Sequence, residues 1–114
     1  MTINEGVAME CQADSVPMAT SEEALQQRTR FARLCKALGH PARLQILQFL
    51  ATVPTCFCGD IVKQLPLAQS TVSQHLKILK EAGWIQGEIE GPRTCYWLNR
   101  ETLAEFRTLA ARLP

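Results

Sequence analysis

The stretch Leu67–Gly83, LAQSTVSQHLKILKEAG, confines this chain more tightly than any other part of it. Val72, Leu76 and Leu79 fall at i, i+4 and i+7 with Ile78 on the flank, the spacing of a helix with one apolar face. The polar residues gather elsewhere, with Gln69, Ser70, Thr71, Ser73 and Gln74 crowding the first turns. A helix of this kind must bury its stripe and leave an amide- and hydroxyl-rich half outside. Its serines and threonine are then either caps of an ordinary surface helix, or side chains aimed at base edges in a DNA groove. In the second case Gln pairs with adenine, Ser and Thr with several acceptors, and Lys77 and Lys80 reach phosphates.

The totals constrain less. A chain of 114 residues is one domain with a modest core, a size that favours dimerisation. Hydrophobic residues at 46% and charged residues at 20% describe an ordinary globular protein and exclude general disorder. The formal net charge of +1 gives no overall pull toward nucleic acid, so any electrostatic footprint must be local. No basic segment precedes an apolar run at the N-terminus and no stretch has the length of a membrane span, which places the chain in the cytoplasm. Five cysteines, an odd number, in such a compartment suit reduced thiols, ligands or sensors better than a disulfide framework.

Residues 1–20 show no sustained period and read as a flexible arm carrying Cys11; residues 21–114 form the folded domain. Ser21 ahead of Glu22 and Glu23 is a helix start, with Leu25, Phe31, Leu34 and Leu38 as the stripe and Gly39 as the stop. Arg28, Arg30, Arg33 and Lys36 on its other faces read as a solvated surface. His40-Pro41 opens a second helix with Leu44, Ile46, Leu47 and Leu50, where His40 is structural rather than a ligand. A short extended TCFC leads to a small helix capped near Asp60 and closed by Pro66, and Leu67-Ala68 turns into the polar-tipped helix. Helix, tight turn, helix is the helix-turn-helix order. After Gly83 the period changes to that of two strands around Gly91-Pro92, a β-hairpin whose tip offers Arg93 to a phosphate or the minor groove. A last helix capped by Asn99 or Thr102 carries Leu103, Phe106, Leu109 and Leu113, and buries that stripe against the first helix and a second copy. The expected fold is mainly α (α+β): a winged helix-turn-helix with a two-stranded wing, dimerising through its N- and C-terminal helices.

Four segments in this order, LGHPARLQILQFL at 38–50, CFCGD at 56–60, QSTVSQHLKILKEAGWI at 69–85 and EGPRTCYWLN at 90–99, resemble the ArsR/SmtB winged-helix metal-sensing repressors, most of all the arsenic-responsive members. The resemblance covers about residues 21–110. It implies a homodimer that holds double-stranded operator DNA and lets go when a toxic ion binds. It also implies a DNA-reading set of Gln69, Ser70, Thr71, Ser73, Gln74, His75, Lys77 and Arg93, with His75 inside the family's SxxSxHL stretch.

Cys56 and Cys58 are the sharpest chemical feature outside that helix. Two thiolates one residue apart converge on a soft ion such as arsenic(III), cadmium, copper(I) or zinc if the backbone bends between them; otherwise they are small apolar residues packed around Phe57. Within the resemblance the pair is the inducer site, and arsenic(III), as arsenite, the inducer, with antimonite, its antimony(III) counterpart, as the alternative. The familiar pattern runs Cys-Val-Cys directly into Asp, whereas Gly59 intervenes here. On a helix, one inserted residue turns the thiols by about 100°, so the site is expected in the turn or on a short strand. Arsenic(III) takes three sulfurs. Cys95, on the second wing strand, is the first choice for the third if the segment before the helix-turn-helix pairs with that strand; alternatively it faces the sheet interior. Cys11 is the second choice, and Cys35, four residues after Phe31, reads as core.

The zinc-sensing arrangement on the last helix is not expected, because 100–114 contains no histidine. No Ser/His/Asp grouping, phosphate loop or paired acidic site suggests an enzyme. Two competing readings remain: a repressor of the same fold switched by a disulfide or reactive sulfur, and an interaction module in which the thiols hold structural zinc.

Overall fold

A computed structural model describes residues 21–114, with Cys56 described for its backbone alone. The elements run α1 (Glu22–Ala37), α2 (Pro41–Leu50), β1 (Cys56–Phe57), α3 (Cys58–Val62), α4 (Gln69–Ala82), β2 (Ile85–Glu90), β3 (Arg93–Leu98) and α5 (Arg100–Ala110). This is the winged helix-turn-helix, with α3 and α4 as its two helices and β2–β3 as the wing.

The helix starts follow local chemistry. The Ser21 hydroxyl accepts from the Ala24 amide at 3.1 Å, His40 Nδ1 from Ala42 at 3.0 Å, and Asn99 Oδ1 from Thr102 at 3.2 Å. Each satisfies an amide that the first turn leaves without a partner. His40 is thus a cap, as its place before Pro41 suggests.

The helix-turn-helix differs in detail from the sequence-based expectation. Asp60 does not begin α3. The helix starts at Cys58, and the Asp60 carboxylate reaches back to accept from the Phe57 amide at 3.3 Å. Nor is the connection a two-residue turn at Leu67-Ala68, because α3 ends at Val62 and tight turns carry the chain to Gln69.

One core gathers the apolar faces. Leu34 of α1, Ile46 and Leu50 of α2, Ile61 of α3, and Val72, Leu76 and Leu79 of α4 are all buried, together with Trp84 and Ile85. Burying each such side chain contributes about 1.5–3 kcal/mol. Trp84 fixes the layers in register, since its indole N–H donates to the Leu34 carbonyl at 3.0 Å and its ring lies 5.1 Å from that of Phe106 on α5. Cys35, read from sequence as core, is exposed instead, because the inward positions of α1 at this level are Leu34 and Ala37.

β1 pairs antiparallel with β3, and β3 with β2, so the wing is anchored to the segment ahead of α3 as a three-stranded sheet. Among the described residues no helix is long and apolar enough to cross a membrane.

α4 ends at Gly83, whose φ of 96° lets the Trp84 amide return to the Leu79 carbonyl at 3.0 Å. A side chain at that angle is strained, and its Cβ would meet the Arg30 guanidinium at 3.3 Å. Gly83→Ala is expected to lower the unfolding free energy by about 1–2 kcal/mol in urea titrations; an unchanged midpoint and slope would contradict this account of the helix end.

Candidate nucleic-acid interface and thiol site

α4 presents its polar half as the spacing demands. Gln69, Ser70, Ser73, Gln74 and Lys77 are exposed, Thr71 is half-buried, and Val72, Leu76 and Leu79 point inward. Ser70 and Thr71 are not caps. The N-cap position is Ala68, which offers no side-chain hydrogen bond, so the first-turn amides are left for an outside acceptor such as a phosphate. Gln69 and Ser73 share a cleft of about 380 Å³ with Arg93 and Thr94 of the wing and with Phe57, Cys58 and Tyr96. Recognition helix, wing and thiol segment therefore meet in one place.

His75 does not stand with the DNA-reading set assigned from sequence. It is 8% exposed, on the α4 face turned toward α2, because the 3.6-residue period sets it beside Leu76 and Leu79. Its ring lies 4.5 Å from that of His40, and the Arg43 guanidinium approaches its Nδ1 at 3.5 Å. Arg can only donate, so this contact needs Nδ1 unprotonated and the imidazole neutral. Burial, then His40, then Arg43 lower the pKa of His75 below its ordinary value.

Cys56 lies on β1 and Cys58 is the first residue of α3, which puts the pair across a strand-to-helix bend rather than on a helix. The Cys58 thiol is half-buried and shares a hydrogen bond with the Ser73 hydroxyl of α4 at 3.7 Å. Burial and then the neighbouring Cys58 raise the pKa of Tyr96. Cys95 is placed differently. Its Cα partner is Phe57, while Cys56 is opposite Tyr96, and its buried thiol contacts the Thr55 hydroxyl. Successive strand residues face opposite sides, so Cys95 occupies the face of β3 away from Tyr96 and Cys58. Strand pairing is as expected, but its register keeps the third thiol from the second. Among the described residues no three His, Cys, Asp or Glu side chains converge as a metal site would require. Cys11 lies outside the described residues.

Sequence reasoning missed Ser73 as the neighbour of Cys58, and Phe57 as the surface on which Arg93 rests, 4.0 Å from ring centroid to guanidinium carbon. The only sequence signal was the aromatic between the two cysteines.

The profile of the family described as bacterial regulatory protein, arsR family, matches residues 40–86, from the cap of α2 through α4 into the wing. An uncharacterized HTH-type transcriptional regulator of Methanocaldococcus jannaschii is 34% identical over 89 residues, spanning 78% of this chain and 100% of its relative. The chain belongs to the ArsR family. It is thus a DNA-binding transcriptional regulator of the winged-helix type, not an enzyme. An arsenical resistance operon repressor of Staphylococcus xylosus is 33% identical over 70 residues, 61% of this chain and 66% of that one. Among solved structures, the homodimeric winged helix-turn-helix domain of a possible ArsR-family regulator from Mycobacterium bovis superposes with a TM-score of 0.67 at 32% identity, covering 82% of this chain and 85% of that one.

The placement of His75 makes folding pH-dependent. A histidine whose folded pKa is lowered is kept neutral at a cost that appears only when protons are available. Its contribution is complete above the unfolded value near 6.5 and is lost as pH falls through the lowered folded value. Thermal stability is expected to fall on going from pH 7 to pH 5, with His75→Gln flattening that slope; an equal slope in the variant would assign the effect to other groups.

Proposed function

We propose that this protein is a homodimeric repressor that occupies operator DNA through α4 and the wing, and is released when arsenic(III) binds Cys56 and Cys58. The supporting observation is the cleft itself, in which the Cys58 thiol lies against Ser73 of the DNA-reading helix and beside Arg93 of the wing. In arsenite each arsenic–oxygen bond is replaced by an arsenic–sulfur bond, with one thiol proton and one hydroxyl leaving as water and no change of oxidation state. Two thiols therefore release two waters and leave one hydroxyl on arsenic, which a third thiol displaces. Antimonite follows the same chemistry. Cys95 is the third ligand only if β1 separates from β3; otherwise Cys11 supplies it.

The DNA contacts fall into two groups. Gln69, Ser70, Thr71, Ser73 and Gln74 face the base edges, and Lys77 and Arg93 the phosphates. The dimer forms through α1 and α5, which Arg30 and Glu105 join by an ion pair at 3.2 Å and Phe31 and Phe106 by ring contact at 5.3 Å. Leu25 in the first turn of α1 and Leu113, beyond the end of α5 at Ala110, are 51% and 60% exposed and are the apolar surface a second copy covers. The site of action is the cytoplasm, where thiols stay reduced.

A tenfold loss of operator affinity needs only about 1.4 kcal/mol of difference in ion binding between the free and DNA-bound states. Cys58→Ser is expected to bind operator as the wild type does and to ignore arsenite in fluorescence anisotropy; normal release from that variant would move the site elsewhere. Gln74→Ala is expected to weaken operator binding by about 1–3 kcal/mol while leaving random DNA nearly unaffected, and equal weakening on both would make Gln74 a backbone contact.

A further inference from the structure

Arg93 is the only cationic residue between Gly83 and Asn99, a span that also carries Glu88 and Glu90. On a wing of net negative charge, attraction to a phosphate depends on where this one guanidinium is held. Among the described residues no carboxylate pairs with it. What holds it is the face of Phe57, 4.0 Å below its guanidinium carbon. Phe57 is also the residue between the two cysteines and the pivot between strand and helix. Its backbone is extended, with φ −85° and ψ 160°, its amide donates to Asp60, and its Cα is paired with Cys95.

The geometry points to Phe57 as the positioning residue that couples the thiol pair to the wing. Without an ion, its ring sets Arg93 for a backbone phosphate. A single ion held by Cys56 and Cys58 draws residues on either side of Phe57 toward one point, and the backbone torsions that change are those of Phe57 itself. The ring then leaves its place under Arg93, and the wing loses its only directed cation. This rests on the arsenic reading above and adds the route by which ion capture reaches DNA. The second contact of the site, Cys58 to Ser73, leads to α4, so release has one path to the recognition helix and a separate one to the wing.

The experiment is anisotropy of the reduced full-length protein on DNA from upstream of its own gene, with and without arsenite, for wild type, Phe57→Leu, Phe57→Tyr, Arg93→Gln and the Phe57→Leu/Arg93→Gln double variant. Loss of an exposed cation–π contact corresponds to about a two- to five-fold change. Phe57→Leu is expected to weaken arsenite-free binding by that factor and to shrink the ratio of affinities without and with arsenite. Phe57→Tyr, which keeps the ring, is expected to restore both. The double variant is expected to bind no worse than Arg93→Gln, because the ring acts only through the guanidinium. Arsenite binding to Phe57→Leu, followed by thiol protection from alkylation, is expected to persist, and a cooperative thermal melt by circular dichroism with wild-type helix content checks that the variant is folded. Should Phe57→Leu fail that check, Arg93→Gln against wild type carries the test, since it too must shrink the arsenite ratio. A wild type released by arsenite with an undiminished ratio in Phe57→Leu, or in Arg93→Gln, overturns the coupling alone. A wild type that arsenite does not release overturns the sensor reading and the coupling with it.

Discussion

The inward stripe of α4 governs which side chains of that helix face outward. Val72, Leu76 and Leu79 are wholly buried against α1, α2 and α3, and this fixes the rotation of the helix about its axis. With that rotation set, Gln69, Ser70, Ser73 and Gln74 have one direction left to point. Trp84 then locks the helix to α1 through the Leu34 carbonyl, and Gly83 allows the sharp exit that delivers the chain into the wing. The outward polar residues of α4 need no support from one another, because the core holds the surface on which they stand.

The same rotation explains the fate of His75. Its neighbours in sequence read as a DNA-facing run, and so did it. The period places its side chain toward α2, where His40 and Arg43 surround it. The His40 cap and the Arg43 guanidinium thus meet His75 behind the recognition helix rather than on it.

Elements with a period were legible in the sequence. The stripes of α1, α2 and α4, the hairpin after Gly83 and the caps at Ser21 and Asn99 follow from local spacing and side-chain chemistry, and the structure has them, whereas α5 stops at Ala110 and leaves Leu113 of its expected stripe outside the helix. The short segment 55–62 was not legible to the same degree. Five residues of helix and two of strand carry no usable period, so Asp60 as a start and a two-residue turn were read where α3 begins at Cys58 and ends at Val62. Pairing of that segment with β3 was foreseen, but its register was not. One residue of register decides whether Cys95 or Tyr96 shares a face with the thiol segment, and no local signal reports it. Cys35 shows the same limit on a helix: four residues after Phe31 suggested the core, and a stripe centred on Leu34 leaves it outside.

The cleft between α4, the wing and the strand-to-helix bend is where the thiol segment and the polar half of α4 meet, the Cys58 thiol within hydrogen-bond reach of the Ser73 hydroxyl. In the proposed function, arsenic(III) on the thiols and DNA on α4 exclude one another. The most direct test of this is competition on the wild-type protein in excess reductant: equilibrium binding to DNA from upstream of its own gene, titrated with arsenite and, in parallel, with zinc. The account predicts release by arsenite and none by zinc at equal concentration. Release by zinc alone, or tight binding unchanged by arsenite until the reductant is removed, would contradict it and assign the switch to another ligand set or to thiol oxidation.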